Sequence, residues 1–262
     1  MTNQWDADLE LARRLADAAD AISMSYYRSL DLVIETKPDL TPVTEADKAV
    51  EQGLREILAA ERPGDGILGE EFGVSGSTER TWILDPIDGT KNYLRGVPVW
   101  STLIALRVSG VLEVGFVSAP ALGRRWWAAT GQGAWSTGPG MNAPTRIQVS
   151  KVAKLSDASF SYSDSVGWAE RGASTGLQTL TSDTWRHRAY GDFWSHMLVA
   201  EGAVDIAGEP ELATYDMAAL IPVIREAGGT ATGFDGTDAL EYGGLLTTNG
   251  VLHAEVLSAL RA

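Results

Sequence analysis

The sequence predicts a protein of mixed α and β structure, with an α+β half followed by an α/β half. Three observations support this fold class. Apolar residues recur at helical spacing near the N-terminus, β-branched and apolar runs fill the stretch from Trp82 to about Trp135, and strands and helices alternate after Pro144. The chain has 262 residues, enough for one large domain or two interlocked subdomains with a real core.

The first half opens with two predicted helices. Apolar residues of the first helix recur at steps of three and four: Trp5, Leu9, Ala12, Leu15, Ala19, Ile22 and Tyr26. A short strand is predicted at residues 32–34. Thr44 and Asp47 then resemble a capping box, which predicts that the second helix begins here. The apolar face of that helix includes Val50, Leu54, Ile57 and Leu58.

The middle of the chain is predicted to form strands. Short apolar runs at residues 67–69 and 82–84 each end in acidic residues. Ser109 and Gly110 mark a hairpin turn. Longer apolar or β-branched runs lie at residues 99–108, 112–118 and 125–129.

A polar, glycine- and proline-rich stretch at residues 136–144 (STGPGMNAP) is the best candidate for a boundary. It divides the chain into an α+β subdomain at residues 1–140 and an α/β subdomain at residues 145–262. In the second subdomain, strands are predicted at residues 159–162, 204–206 and 245–248. Helices are predicted at residues 193–201, at residues 217–227 and at the C-terminus.

Charge and composition limit the partners. The net charge of -14 makes nucleic acid and anionic membranes poor partners, and an anionic substrate would need local neutralisation by a cation or by a few lysines and arginines. No apolar run reaches membrane-spanning length. The N-terminal residues include Asp6, Asp8 and Glu10 and lack an apolar signal core, so a cytoplasmic protein is expected.

The chemistry is expected to rely on carboxylates. The chain has no cysteine, which excludes disulfide scaffolds, thiolate zinc sites and cysteine nucleophiles. Its three histidines do not have the spacing of metal ligands: His187, His196 and His253.

The stretch Asp85-Pro86-Ile87-Asp88-Gly89-Thr90 is the most informative motif. It places two carboxylates three residues apart at a strand end, with a proline of fixed φ between them and a Gly-Thr pair after them. Mg²⁺ prefers oxygen ligands in tight octahedral geometry, completed by water and substrate phosphate, and a rigid acidic turn supplies such ligands. A solvated Asp-rich turn is the alternative interpretation, because Asp, Pro and Gly are common in turns.

Other acidic residues also fall at predicted element ends. Alone, each has an ordinary explanation: a solvated strand end, an anion in the first turn of a helix, or a helix cap. Together they would repel one another unless cations held them, so they predict a multi-Mg²⁺ phosphoryl-transfer site. With the pair Asp85 and Asp88, the acidic groups are Glu70 and Glu71, Glu209 and Asp216, and Asp47, which follows Thr44 in the capping box.

The motif D-P-I-D-G-T-K-N-Y (residues 85–93) resembles the first signature of the inositol monophosphatase superfamily, which comprises Mg²⁺-dependent, lithium-sensitive phosphomonoesterases. Further matches follow the family order over most of the chain: V-T-E-A-D (43–47), G-E-E (69–71), Y-D-M-A-A (215–219) and E-A-G-G (226–229). Tyr215 departs from the family, since many members carry Trp there. The resemblance implies a layered αβαβα sandwich, and a homodimer because the family is commonly dimeric.

The resemblance also implies which residues bind two or three Mg²⁺ ions. Glu70, Asp85 and the Ile87 carbonyl would bind the first ion. Asp85, Asp88 and Asp216 would bind the second. Glu70 and waters, with Asp47 behind them, would hold a weaker third.

Catalytic roles follow from the same resemblance. Thr90 would orient the attacking water through its hydroxyl in a relay with Asp47, and Glu70 would assist. The backbone N–H groups of Gly89 and Thr90 would hold the phosphate. Direct attack by water on the ester needs no covalent enzyme intermediate.

Three stretches of the sequence resemble the histidinol-phosphatase branch of the superfamily. They are Lys91 directly after Thr90, residues 95–100 and residues 189–193. This implies hydrolysis of L-histidinol phosphate to L-histidinol and phosphate, a step of histidine biosynthesis. The alternatives are inositol 1-monophosphate or another small phosphate ester with the same chemistry, and a non-enzymatic acidic metal-binding protein.

The substrate-binding residues follow partly from the chemistry of histidinol phosphate, which carries an ammonium group and an imidazole. Asp192 and Glu209 would supply carboxylates, although Asp192 could equally cap the helix that begins near residue 193. The predicted set is Asp88, Gly89, Thr90, Arg188, Asp192, Glu209 and Asp216. For Lys91, a phosphate contact or a surface position both remain open, and Arg186 and Arg188 could serve a dimer edge or the substrate entrance.

Overall fold

The structure is a computed structural model that describes residues 3–29, 34–36 and 42–261, with the backbone alone at residues 34–36 and 42–43. Of the strand predicted at residues 32–34, the first two residues lie outside this part of the chain, and the observed strand begins at Ile34. Among the described residues the helices are α1 (Asp6–Tyr26), α2 (Glu45–Glu61), α3 (Thr90–Leu94), α4 (Ser165–Glu170), α5 (Ser174–Asp183), α6 (Asp192–Ala200), α7 (Thr214–Met217), α8 (Leu220–Glu226), α9 (Ala239–Tyr242) and α10 (His253–Leu260). None of these helices combines the length and the apolar character needed to cross a bilayer.

The strands of the described residues form two large sheets and one short pair. They are β1 (Ile34–Thr36), β2 (Pro42–Thr44), β3 (Gly66–Gly69), β4 (Gly73–Ser75), β5 (Arg80–Asp88), β6 (Ser101–Val108), β7 (Val111–Ala119), β8 (Arg124–Ala129), β9 (Ala134–Thr137), β10 (Thr145–Ile147), β11 (Ser159–Tyr162), β12 (Arg186–Arg188), β13 (Ile206–Glu209), β14 (Thr230–Thr232) and β15 (Leu245–Thr248). The first large sheet has the order β10-β9-β8-β7-β6-β5-β3-β4, and the second has the order β12-β11-β13-β15-β14. The strands β1 and β2 pair with each other.

The two sheets and the helices stack in five layers. Helices α1 and α2 pack on one face of the eight-stranded sheet, α6 and α8 fill the space between the sheets, and α4, α5 and α10 lie on the far side. Strand β5 is buried on both faces, because Trp82 packs towards α1 and α2 while Ile83 packs towards the middle layer. The predicted αβαβα sandwich is therefore confirmed.

The predicted capping box at the start of α2 is confirmed. The Thr44 hydroxyl oxygen accepts hydrogen bonds from the amides of Ala46 (3.1 Å) and Asp47 (3.4 Å), and the Asp47 carboxylate accepts from the Thr44 amide at 2.9 Å. Because Asp47 closes this box, its side chain is fixed at the start of α2. Later turns of the same helix bury Leu54 and Leu58 in the core.

Two predictions from the sequence differ from the structure in detail. The helix predicted at residues 217–227 is divided into two helices, α7 and α8. Pro222 has no amide hydrogen, so it cannot donate a helical hydrogen bond to the carbonyl of Ala218. Strand β10 pairs with β9, so the chain leaves the first sheet only after Ile147. The division into subdomains at residues 1–140 and 145–262 stays a prediction, with Thr145–Ile147 belonging to the first sheet.

Candidate metal centre and substrate cavity

A bulge at the end of β5 brings two carboxylates together. Residues three apart on a regular strand point to opposite faces. The pairing of β5 with β6 shifts between Asp85, opposite Leu103, and Asp88, opposite Ser101, so one extra residue lies in β5. The Thr102 hydroxyl donates to the Pro86 carbonyl at 2.8 Å and anchors the bulge. As a result, oxygen atoms of Asp85 and Asp88 lie within 4.8 Å of each other.

Asp216 joins this pair from a different part of the fold. It lies in the short helix α7, where its carboxylate accepts the amide hydrogen of Ala213 at 2.7 Å. One of its oxygens lies within 4.8 Å of the oxygens contributed by Asp85 and Asp88. The amide of Phe193, in α6, donates to Asp88 at 3.0 Å. The cluster is thus oriented by backbone donors from helices that follow strands of the second sheet.

Glu70 is held beside the cluster by a buried glutamate that the sequence analysis missed. The Glu51 carboxylate accepts hydrogen bonds from the amides of Glu71 (2.6 Å) and Phe72 (3.1 Å), and Arg55 donates to it at 2.7 Å. A Cβ at Gly69 would lie 2.0 Å from Oε1 of this carboxylate, so any larger residue there would displace Glu51 from these hydrogen bonds. Glu51 follows the capping box by four residues, and this helical spacing is the only sequence signal that could have indicated its position.

The crowding of carboxylates raises their pKa values. Burial raises the pKa of Asp85 well above its ordinary value, and the charges of Glu70 and Asp88 raise it further. For Asp88, burial is again the largest cause, followed by the charge of Asp192. Burial raises the pKa of Asp216 to about 7, and the charges of Glu70, Glu209 and Asp192 contribute in the same direction. The carboxylates of the cluster are therefore harder to ionise together, unless a positive charge lies beside them.

The donor set fits a hard divalent cation. Asp85 has a buried carboxylate oxygen, Oδ1, with no hydrogen-bond partner among the described residues. Asp85, Asp88 and Asp216 offer only oxygen ligands. Mg²⁺ prefers oxygen ligands, whereas softer metals prefer thiolates. An unpaired buried carboxylate oxygen is costly, and a bound cation would satisfy it.

Asp47 lies close enough to Glu70 for the charge of Glu70 to act on its carboxylate. Burial raises the pKa of Asp47 to about 6, the hydrogen bonds from Thr44 lower it, and the charge of Glu70 raises it. Its carboxylate also accepts the Thr44 hydroxyl at 2.5 Å. A carboxylate with this pKa is poised to exchange a proton near neutral pH.

The Gly-Thr pair after the bulge starts helix α3. Gly89 has a φ of 82°, in the left-handed region, and a Cβ there would lie 3.1 Å from the Val99 carbonyl oxygen. The Thr90 hydroxyl donates to the Ile87 carbonyl at 3.0 Å. The carbonyl predicted to bind metal and the hydroxyl predicted to orient water are therefore adjacent.

A cavity of about 620 Å³ opens over these residues. It contains most of the predicted site residues, whereas Asp47, Asp85 and Ile87 are buried and are not part of its lining. Its lining consists of Glu70, Asp88, Gly89, Thr90, Lys91, Asn92, Ser163, Asp164, Ala189, Tyr190, Gly191, Asp192, Glu209, Glu211, Leu212, Ala213, Tyr215 and Asp216. The lining carries seven acidic side chains and one lysine, so the cavity is strongly electronegative.

Asp192 does not cap helix α6. It is the first residue of that helix, the preceding Gly191 holds the cap position, and no side chain caps this end. Asp192 has a φ of 51°, which is unusual for a residue with a side chain. Its carboxylate instead accepts a hydrogen bond from Asn92 at 3.2 Å, and burial raises its pKa to about 7. The strained backbone thus directs a carboxylate into the cavity.

The arginines lie apart from the cavity. Arg188 is exposed on the edge strand β12, where it donates to the carbonyl of its neighbour His187 at 2.6 Å. It is not among the residues that line the cavity, and its predicted role in substrate binding stays a prediction. Arg186 donates to the Tyr190 hydroxyl at 3.0 Å, and so contacts a lining residue from outside. Lys91, by contrast, lines the cavity directly.

Comparison with known proteins is consistent with this site. The family model described as the inositol monophosphatase family matches residues 4–262. A histidinol-phosphatase of Mycobacterium tuberculosis is 57% identical over 256 residues, 97% of this chain and 98% of that protein. A histidinol-phosphatase of Streptomyces coelicolor is 55% identical over 257 residues, 97% of this chain and 96% of that protein. The structure of an inositol monophosphatase from Zymomonas mobilis superposes with a TM-score of 0.86 at 29% identity, covering 100% of both chains.

Proposed function

The chain belongs to the inositol monophosphatase family. On this premise we propose that it is a Mg²⁺-dependent phosphomonoesterase that hydrolyses L-histidinol phosphate to L-histidinol and inorganic phosphate. The observation that carries the proposal is a carboxylate cluster that fits Mg²⁺, two of whose members, Asp88 and Asp216, line the same cavity as further carboxylates that fit an organic cation. The alternative, an inositol-1-monophosphatase, is not favoured, because the relatives at 55% and 57% identity are named histidinol-phosphatases.

The proposed metal ligands come from three elements. Glu70, Asp85 and the Ile87 carbonyl would hold one Mg²⁺, and Asp85, Asp88 and Asp216 would hold a second. Glu70 and water, with Asp47 behind them, would hold a weaker third ion. Bound Mg²⁺ neutralises the phosphoryl oxygens and makes a nearby water more acidic. The unpaired Oδ1 of Asp85 and the oxygens of Asp85, Asp88 and Asp216 gathered within 4.8 Å support the second of these sites.

Thr90, Asp47 and Glu70 form the proposed water-activating group. The Thr90 hydroxyl orients the attacking water, and the water proton passes through that hydroxyl towards Asp47, whose pKa of about 6 suits a proton acceptor at neutral pH. The water oxygen attacks phosphorus opposite the ester oxygen, the bond between phosphorus and that oxygen breaks, and the ester oxygen takes up a proton from solvent to leave as the hydroxyl of L-histidinol. The amides of Gly89 and Thr90, at the start of α3, hold the phosphoryl oxygens.

The leaving group is recognised by the acidic end of the cavity. L-Histidinol carries an ammonium group and an imidazole, both of which favour carboxylate partners. Asp192 and Glu209 are the proposed partners, and both line the cavity. A neutral polyol such as inositol gains less from this charge, so the electronegative lining supports the cationic ester. Arg188 is proposed to act near the cavity entrance rather than inside it.

Three further properties complete the proposal. The reaction product places the enzyme in histidine biosynthesis. The protein is proposed to be cytoplasmic and to form a homodimer, as expected from the family resemblance.

The test is a comparison of kcat/KM on L-histidinol phosphate and on inositol 1-phosphate, with free phosphate as the readout. The wild-type chain should prefer L-histidinol phosphate. Asp88→Asn should abolish turnover while preserving the fold, because the asparagine oxygen still accepts the Phe193 amide. Asp183→Asn, which removes an exposed charge on α5, is the matched control and should keep wild-type turnover. Near-native activity in Asp88→Asn would refute the metal assignment, and a preference for inositol 1-phosphate would refute the substrate.

A further inference from the structure

His196 is a fully buried histidine that the reaction described so far does not use. It lies on α6, behind the wall of the cavity, with no exposed surface. Its Nδ1 lies 2.8 Å from the hydroxyl of Thr247, on strand β15. Its Nε2 lies 3.4 Å from Oε1 of Glu209, at the end of strand β13. Neither Nε2 nor Oε1 has a hydrogen-bond partner within the described part of the chain.

The surroundings of His196 select one arrangement of its ring proton. If Nδ1 carried the only proton, Nε2 would direct a lone pair at a carboxylate oxygen, which is repulsive. If Nδ1 accepts the Thr247 hydroxyl hydrogen, the proton stands on Nε2 and is directed at Glu209. The second arrangement directs the ring hydrogen at the carboxylate oxygen across 3.4 Å, so each of the two buried atoms faces a group of opposite polarity.

The contact reaches the cavity through Glu209. Oε1 of Glu209 is buried against His196, whereas the residue itself lines the cavity. The neighbouring buried residue of α6, Ser195, is instead paired within the core, with its hydroxyl 2.7 Å from that of Ser161. His196 therefore differs from Ser195, because the residue that it contacts, Glu209, lines the substrate cavity.

Building on the proposed function, we propose that His196 is a positioning residue that selects a cationic leaving group. Its Nε2–H holds one oxygen of Glu209, so that the other oxygen is presented to the cavity and takes the cation of L-histidinol phosphate. Thr247 acts one step further back by fixing the ring proton on Nε2. The phosphate end of the cavity, formed by Asp88, Gly89 and Thr90, lies outside the chain of contacts from Thr247 through His196 to Glu209.

Two substitutions at His196 separate positioning from core packing. Asparagine can reproduce the polar atom near Thr247, but its side chain is too short to reach Glu209. Glutamine can place an amide N–H close to the position of Nε2. His196→Asn removes more volume than His196→Gln, and only His196→Gln keeps the donor to the carboxylate, so kcat and the phosphate inhibition constant serve as the controls for packing. Thr247→Val is a third variant that leaves the histidine intact and removes the group that fixes its proton.

The measurement uses the full chain with Mg²⁺ and gives KM and kcat for L-histidinol phosphate, with the inhibition constant of inorganic phosphate. In His196→Asn, KM should rise about tenfold, the size expected for a lost hydrogen bond to a charged group, with little change in kcat. The inhibition constant of phosphate should stay unchanged, because phosphate binds at the other end. His196→Gln should restore most of the wild-type KM, and Thr247→Val should give an intermediate KM.

The outcomes are distinct. Equal KM values in His196→Asn and His196→Gln would overturn the inference, as would a parallel rise in the phosphate inhibition constant, which a purely structural role predicts. If His196→Asn does not fold, Thr247→Val decides the question: an unchanged KM overturns the inference, and a raised KM with unchanged phosphate inhibition supports it. A wild-type chain that does not hydrolyse L-histidinol phosphate would instead refute the proposed function.

Discussion

Replacing Asp216 by asparagine removes one charge from the carboxylate cluster and preserves the local geometry. The asparagine oxygen still accepts the Ala213 amide, which Asp216 accepts at 2.7 Å. Turnover should be lost, because Asp216 is a proposed ligand of Mg²⁺. The metal-free protein, however, should become more stable at neutral and alkaline pH, since one source of repulsion and desolvation is gone.

The size of this effect follows from the pKa of Asp216, which burial raises from 3.8 to about 7. The folded state holds this proton more tightly than the unfolded state does. The group therefore contributes its full stability below about pH 4 and loses it as the pH rises through about 7. Each pKa unit corresponds to about 1.4 kcal/mol, so full ionisation costs about 4 kcal/mol. Asp216 is partly exposed, and solvent screening reduces this to about 2 kcal/mol.

The assay is thermal unfolding with a chelator at several values between pH 5 and pH 8.5. The Tm of the wild-type chain should fall across this window, because the raised pKa values of Asp47 (about 6) and Asp192 (about 7) act in the same direction as that of Asp216. At pH 8, Asp216→Asn should unfold roughly 4–8 °C higher than the wild type. Added Mg²⁺ should raise the wild-type Tm at pH 8 and should raise that of the variant much less.

Asp183→Asn is the matched control, since it makes the same change of charge at an exposed position of α5 and should follow the wild-type curve. The reasoning is refuted if metal-free Asp216→Asn and wild type have the same Tm at pH 8. A wild-type Tm that rises with pH under chelation would refute it equally, because the sign of the linkage would be reversed.

Three other predictions concern residues around the cluster. Thr90→Val should lower kcat by about 100-fold in steady-state assays, whereas Thr90→Ser keeps the hydroxyl and should keep most of the activity. Gly89→Ala should cost about 1–2 kcal/mol in denaturant unfolding, because it forces a left-handed φ of 82° on a residue with a side chain. Glu51→Gln should destabilise the fold by about 3 kcal/mol, since the carboxylate is fully buried against Arg55 and two amides. The same variant should need more Mg²⁺ for half-maximal activity, because the turn that carries Glu70 loosens; an unchanged Mg²⁺ requirement would show that Glu51 acts on stability alone.

The parts of the site that the sequence predicted are encoded locally. The capping box of Thr44 and Asp47 and the acidic turn from Asp85 to Asp88 each occupy a few consecutive residues with strong backbone preferences. Local patterns of this kind depend little on the rest of the fold, so they were visible in the sequence, although each of them alone also had an ordinary explanation. The bulge that turns Asp85 and Asp88 to the same side was not visible there, because it exists only in the pairing of β5 with β6.

Substrate recognition depends on contacts between distant segments and was harder to predict. Asp192 looked equally like a helix cap, but Gly191 holds the cap position, and the Asp192 carboxylate accepts a hydrogen bond from Asn92, far away in the chain. The contact of His196 with Glu209 depends on how α6 packs against β13, which periodicity does not specify. Arg188, whose role in substrate binding stays a prediction, lies on the exposed edge strand β12 and outside the lining of the cavity.

The carboxylate cluster also ties the two sheets together, and this gives its charge a mechanical consequence. Asp85 and Asp88 extend from the eight-stranded sheet, whereas Asp216 follows β13 of the five-stranded sheet. Repulsion among the three ionised groups therefore pushes the two sheets apart, and a cation between them would draw them together. The same three side chains consequently have two effects. They lower the stability of the metal-free fold at neutral pH, and they supply the ligands of the proposed metal site. Replacing any one of them by its amide should raise metal-free stability and remove turnover together.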